Sequence, residues 1–476
     1  LRRIFAKLAV MTRRLLPTAL LLAAAATFAA AQTPVDQTAL DRYVAKPDPA
    51  YKYELVRTIP GENYTAYVID LTSQQWRTPA EVNRTLWKHW LTIIKPAEIK
   101  SSTAFLSIAG GSVTSNSPEK PDATALQIAL MSHTVTAVLS GIPNEPLTFA
   151  GETKGRTEDG LINYTWVKFM QTGDETWPAR LPMTKAAVRA MDTVTAFLAT
   201  PAAGNVRIDH FFVAGASKRG WTTWTTAAVD KRVIGIAPLV IDVLNMRKST
   251  DHHYQAYGEY SEALNDYKES NIVGAADLPE YAALMKIEEP FSYRTRYTMP
   301  KYIVNGAGDQ YFLPDSSQFY FDSLPGEKYL RYVPNTDHSL KNSDAVLGLA
   351  AFYDAVVAGR PRPKFSWNFE KDGSIKVTCI DKPSEVKLWV ANNPEKRDFR
   401  LATLGPAYKS TTLTAEGNTY TGRIEKPAKG WTAFFVELTF PSGGALPFKF
   451  TTEVRVTPDT LPFPKPPMNS KLSDLH

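Results

Sequence analysis

Ser217 lies in the run IDHFFVAGASKRGWTTW, residues 208–224, where aromatic and β-branched residues give way to small ones and then to a helix-compatible stretch ending near Val229. A serine at a sharp strand-to-helix turn exposes its Oγ. It also sits beside a helix amino terminus, whose free amides and partial positive charge favour a developing oxyanion. Such a turn needs small neighbours, and Gly215, Ala216 and Gly220 supply them. The spacing departs from G-x-S-x-G: Arg219 stands in the second glycine position, and Gly220 follows one residue later. A plainer reading makes Ser217 the N-cap of an ordinary helix.

A nucleophilic serine needs a base, and the base needs a group to orient it. Downstream, KYIVNGAGD (residues 301–309) reads as a strand, a glycine-containing turn and Asp309. LRYVPNTDH (residues 330–338) reads as the next strand, a turn and His338. Three such groups in the order Ser, Asp, His, each at a strand exit, are more specific than any one alone. Asp315 and Asp242 compete for the role of acid, and Asp337 adjoins the histidine but would point elsewhere. The oxyanion would be held by the Lys218 amide together with Gly110 and Gly111, which end an earlier apolar strand. Arg219 has two readings, contact with an anionic substrate group or pairing with an acid beneath the turn, and pairing is slightly favoured. Trp221 and Trp224, at helical spacing, read as core. His252 and His253 with Asp251 hint at metal, but adjacent histidines point apart and no spaced partner is visible. His89, His133 and His210 read as structural, and the single cysteine, Cys379, as a small core residue that excludes an intrachain disulfide.

Strands are expected at residues 64–70, 87–94, 103–109, 134–139, 233–240, 301–305 and 328–333, and helices at 122–132, 184–199, 315–321 and 343–357. Their alternation from about 85 to 358 predicts a mostly parallel sheet covered on both faces. Residues 144–182 read as a long loop without periodicity and 241–300 as an excursion of mixed helical patterning, together a lid. Residues 32 to about 50 read as a mobile lead-in. After the composition shift at residues 359–363, only strand signals remain. These predict a separate β-sandwich-like domain over 364–460, followed by an extended Pro-rich tail, 461–476.

The chain has 476 residues and a formal charge of +6, with five basic and no acidic residues among the first 31. The rest is nearly neutral, so its charge offers nothing to nucleic acid. Residues 1–31 read as a signal peptide: Arg13 and Arg14, an apolar run over 15–28, then Ala29–Ala31, with Met11 as a plausible true start. The expected location is therefore secreted or periplasmic, without stable membrane insertion.

The segments GASKRGWTTW (215–224), NGAGDQYF (305–312) and PNTDHSL (334–340), with residues 238–245, 314–317 and 324–326, resemble the PhoPQ-activated pathogenicity-related family of secreted proteins. The resemblance covers nearly all of the chain after the leader. It implies an α/β-hydrolase fold with Ser217, Asp309 and His338 in catalytic positions. The combined expectation is a cofactor-independent serine hydrolase acting on a small-molecule or peptide substrate, with amide hydrolysis slightly favoured over ester. Two alternatives stand beside it: a non-catalytic binding or signalling protein on the same scaffold, and a carbohydrate-ester hydrolase in which Arg219 grips a uronate.

Overall fold

A computed structural model describes residues 37–469 and 471–476; the leader expected at 1–31 lies outside these. Nine strands form the first part of the main sheet: β1 (Lys52–Gly61), β2 (Tyr64–Gln75), β3 (Leu86–Pro96), β4 (Thr103–Ile108), β5 (Thr136–Leu139), β6 (His210–Ala216), β7 (Val233–Leu239), β8 (Lys301–Gly306) and β9 (Lys328–Val333). Their spatial order is β1-β2-β3-β5-β4-β6-β7-β8-β9. The pairs from β1 to β5 in that order are antiparallel, and those from β5 through β9 are parallel. This is the α/β-hydrolase topology, with the strand before the serine turn at its centre. β4, β6 and β8 are rich in aromatic and β-branched residues and nearly fully buried, as strands covered on both faces must be.

The covering helices follow local signals. In α1 (Ala39–Ala45) Thr38 and Asp41 form a capping box, and the Asp41 carboxylate pairs with Arg296 at 2.7 Å. Those contacts order a segment expected to be mobile. Asp122 caps α2 (Ala123–Ser132). The region 144–182 is not a loop throughout: its centre is α3 (Glu158–Thr172), which buries nine residues. After α4 (Arg180–Leu198) and α5 (Lys218–Val229), residues 241–300 fold into α6 (Met246–Tyr257), α7 (Asn265–Glu269), α8 (Pro279–Glu288) and short 3-10 turns. The last long helix is α9 (Ala345–Val357).

The C-terminal strands do not make a separate domain. β10 (Phe365–Phe369), β11 (Ile375–Cys379) and β14 (Thr419–Gly422) form a small second sheet, while β12 (Glu385–Asn393), β13 (Lys409–Thr412), β15 (Trp431–Phe440), β16 (Phe448–Thr451) and β17 (Arg455–Thr457) extend the main one. The join is β16 against β9, where Thr451 pairs with Leu330 and its Oγ1 accepts from the Tyr332 amide at 3.0 Å. Ile375 and Val377 of the small sheet share one core with Val386, Phe434 and Val436 of the large one. A two-layer β arrangement therefore exists, but one layer is the hydrolase sheet itself, and residues 38–476 are one compact unit. Sequence periodicity finds strands and cannot say which edge they join. Cys379 is buried in β11. The tail is anchored to the excursion: the amides of Phe463, Asn469 and His476 donate to the carbonyls of Gln255, Gly274 and Ser270, and Leu475 is buried. Among the described residues no helix is long and apolar enough to cross a membrane.

Arg331 of β9 is buried between Glu437 of β15 and Asp344, so a buried ion pair spans the join. Glu437→Gln leaves that buried guanidinium with only the partly exposed Asp344 as a charged partner and should destabilise the protein by about 3 kcal/mol. Urea unfolding followed by tryptophan fluorescence and far-UV circular dichroism should give one coincident transition for both proteins. A separate transition for the C-terminal strands would count against the shared sheet.

Candidate active site

The backbone at Ser217 has φ +57° and ψ −125°, a conformation that costs a non-glycine residue on the order of 1–3 kcal/mol. Its surroundings hold it there. The Ser217 amide donates to Leu239 O at 2.9 Å, and its carbonyl accepts from the Trp221 amide at 3.0 Å. A Cβ on Gly215 would come within 2.6 Å of the Arg219 carbonyl oxygen, and one on Gly220 within 2.9 Å of the carbonyls of Gly215 and Leu239. Both glycines therefore let α5 lie against β6 and β7. The side chain at 219 leaves this crossing, which is why the displaced glycine is tolerated.

Asp309 and His338 leave the carboxyl ends of β8 and β9 on adjoining loops. A Cβ on Gly306 would lie 2.6 Å from Asp337 O, and one on Gly308 would lie 3.0 Å from Thr336 O, so glycine lets the two loops touch. His338 Nδ1 and Asp309 Oδ2 are 2.7 Å apart, while Asp309 Oδ1 accepts from the Tyr311 amide at 2.7 Å. With both carboxylate oxygens accepting, Nδ1 carries the proton and Nε2 is left with its lone pair free. Nε2 is buried without a hydrogen-bond partner among the described residues. The His338 ring packs 4.4 Å from Tyr311 and 5.9 Å from Phe312, and both of these line one cavity with Ser217. Ser217 lines the cavity and His338 packs against two of its wall residues; among the described residues the two share no hydrogen bond, and such contacts often tighten only with substrate.

The amides expected to hold an oxyanion are located by strand register and helix position. The register of β4 with β6 pairs Ile108 with Gly215 and so carries Gly110 and Gly111 alongside the turn. The Lys218 amide is in the first helical position, which has no intrahelical acceptor. Among the described residues neither Gly110 nor Gly111 donates its amide hydrogen. Gly110 has a further reason to be glycine, since a Cβ there would meet Arg219 Nη2 at 2.5 Å.

Arg219 is not free for substrate. Its guanidinium grips Glu158 at 2.9 and 2.8 Å, and its Nε donates to Ile142 O. Lys218 Nζ reaches Glu158 and Asp159 at 3.0 and 3.1 Å. Burial pushes the Glu158 carboxyl up, but the hydrogen bonds and charges of Arg219 and Lys218 outweigh it and hold the group below the usual carboxylate range. Neighbouring Glu145 moves the other way, raised by burial and by the Glu158 charge. The uronate-gripping role considered for Arg219 is therefore withdrawn: this arginine ties α3 to the serine turn.

The competing acids have other partners. Asp315 is buried between His252 Nε2 at 3.0 Å and Arg397 Nη2 at 2.6 Å, whose charges overcome burial and hold it well below the usual range. Asp337 accepts from Ser339. Asp242 accepts 2.6 Å hydrogen bonds from the hydroxyls of Tyr320 and Tyr332. His253 accepts from the Ser261 amide, and among the described residues no group of three or more His, Cys, Asp or Glu side chains is placed to hold a metal ion. Trp221 and Trp224 are buried as expected, but Trp221 also lines the cavity. Sequence reading missed the rest of that lining. Arg180, Asp159 and Trp166 come from the earlier segment and Met246, Tyr267 and Tyr281 from the later one. No periodicity marks residues that meet only across two insertions.

A family model describing the PhoPQ-activated pathogenicity-related proteins matches residues 40–400. The chain belongs to that family. Autocrine proliferation repressor protein A of Dictyostelium discoideum is 39% identical over 457 residues, which cover 90% of this chain and 92% of that one. Among solved structures, the acetyl xylan esterase from Paenibacillus sp. R4 is 16% identical with a TM-score of 0.46, covering 67% of this chain and 91% of that one. Acetyl xylan esterase 1 from Thermoanaerobacterium sp. is 13% identical with a TM-score of 0.44, covering 66% and 91%.

Burial raises Asp242 from 3.8 to about 7, with the charges of Asp309 and Asp315 adding to the effect. Between those values the folded chain holds a proton that the unfolded chain has lost. Asp242 therefore costs stability progressively as pH rises from about 4 to about 7, and nothing further above that. Asp242→Asn should remove this cost, shifting the stability difference towards the variant by a few kcal/mol (order of magnitude) between pH 4.5 and 7.5. Urea unfolding of both proteins at the two pH values measures it; a pH-independent difference would contradict the assignment.

Proposed function

We propose that this protein is a secreted serine hydrolase that cleaves an acyl bond through Ser217, His338 and Asp309. The observation that carries the reading is the 2.7 Å bond from His338 Nδ1 to buried Asp309, formed at strand ends beside a serine held at positive φ. Ser217 Oγ attacks the acyl carbonyl while His338 Nε2 takes its proton, and Asp309 stabilises the imidazolium. The amides of Lys218 and of Gly110 or Gly111 hold the tetrahedral oxyanion. Collapse passes the proton from His338 to the leaving group, and a water activated by His338 then frees the acid and restores Ser217. None of these steps calls for a cofactor. The cavity beside Ser217, about 90 Å³ and lined mostly by apolar side chains of the two insertions, supports a compact acyl group over a long peptide. That favours an ester or a simple amide and moves the reading away from a peptidase.

A second reading, a non-catalytic signalling protein on this scaffold, draws on the relative named as a repressor of proliferation. One experiment separates the two. Purified protein should be labelled by a fluorophosphonate, Ser217→Ala should not, and Asp309→Asn should lose roughly 10³–10⁴-fold in kcat on any ester that is turned over. Folded wild-type protein that resists labelling would favour the signalling reading.

A further inference from the structure

Arg180, the first residue of α4, is 3% exposed and lines the cavity that contains Ser217. Its guanidinium carbon lies 3.7 Å from the centroid of the Trp221 ring, so the planar group is stacked and fixed. Yet its guanidinium donates no hydrogen bond among the described residues, and Nε and Nη1 are buried in that state. Buried polar groups are nearly always satisfied, and a stacked guanidinium with open donors matches a planar, two-oxygen acceptor.

The nearby carboxylates do not fill that place. Glu288 forms a buried ion pair with Nε at 3.3 Å, outside hydrogen-bond geometry, and its Oε2 also accepts from Trp166 Nε1, so it covers only the Nε side of the guanidinium. Its other oxygen faces the Arg180 backbone amide at 3.3 Å. Asp159 is engaged by Lys218 Nζ at 3.1 Å and by the Tyr267 hydroxyl at 3.0 Å. The two Nη groups are left without an acceptor. Trp221, on the first turn of α5, carries the stacked guanidinium, and Arg180, Trp221 and Ser217 all line the same cavity.

We propose that Arg180 is a specificity-determining residue that binds a carboxylate at the far end of the acyl group, so that the substrate is an ester of a dicarboxylic half-acid. The proposal rests on the serine-hydrolase reading. Turnover breaks the ester bond next to the carbonyl held at Ser217 and leaves the distal carboxylate unchanged, seated on Arg180. Neutral acyl chains of equal length would fill the apolar wall and leave the guanidinium unsatisfied, which penalises them.

The test compares monomethyl succinate, glutarate and adipate with methyl butyrate, valerate and hexanoate, following acid release in a pH-stat. Wild-type protein should prefer at least one half-ester over its neutral counterpart by at least about tenfold in kcat/KM, mainly through KM. Arg180→Met, which keeps the packed stem, should bring that ratio to about one, and Arg180→Lys should restore part of it. Equal or faster turnover of the neutral esters by wild-type protein would overturn the proposal. Free adipate should also slow fluorophosphonate labelling of the wild type more than hexanoate does, a comparison that stands even if Arg180→Met fails to fold. If wild-type protein is not labelled at all, the hydrolase reading falls separately. Thermal stabilisation by adipate but not hexanoate would then still support the carboxylate site, and its absence would overturn it.

Discussion

Everything near the site depends on one backbone constraint, the close crossing of α5 over the ends of β6 and β7. Two main-chain hydrogen bonds and two side-chain-free positions, Gly215 and Gly220, hold Ser217 where its φ is unfavourable. The strain is maintained because the surrounding strands are buried and paired on both sides, so relaxing one residue would displace a helix from the sheet. The same crossing points the Lys218 amide outward beside Ser217 and sends the Arg219 side chain away, toward α3.

That outward path links the chemistry to its cover. Arg219 and Lys218 leave the turn and are met by Glu158 and Asp159 at the start of α3, so charges adjacent to the nucleophile fasten the insertion that walls its cavity. Lys218, Arg219 and Asp159 are mostly buried in this pairing and Glu158 is partly exposed, and the opposed charges leave little net charge beside Ser217. Further along the cavity, Arg180 is ion-paired with buried Glu288 through Nε, while its Nη1 has no hydrogen-bond partner among the described residues.

Much of this was legible in the residues themselves. The order of Ser217, Asp309 and His338, each after an apolar run, survives translation into structure because strand periodicity and glycine-marked turns are local signals. Arg219 carried two readings in the sequence, and only the placement of Glu158, 61 residues earlier, separates them. Arg180 fell within the stretch read as a long loop, since its stacking partner Trp221 and its neighbour Glu288 are both distant in the chain. The strand character of the C-terminal region was legible, but the membership of most of its strands in the main sheet was not. Edge pairing between β9 and β16 depends on Thr451, Arg331 and Glu437 meeting across more than a hundred residues.

The anchoring of residues 463–476 to the excursion joins parts that lie far apart in the sequence. Their amides meet carbonyls of Gln255, Ser270 and Gly274, on the segment that also contributes Leu264, Tyr267, Ile272 and Val273 to the cavity beside Ser217. A change in the tail therefore has a path to the cavity wall that touches none of Ser217, Asp309 and His338.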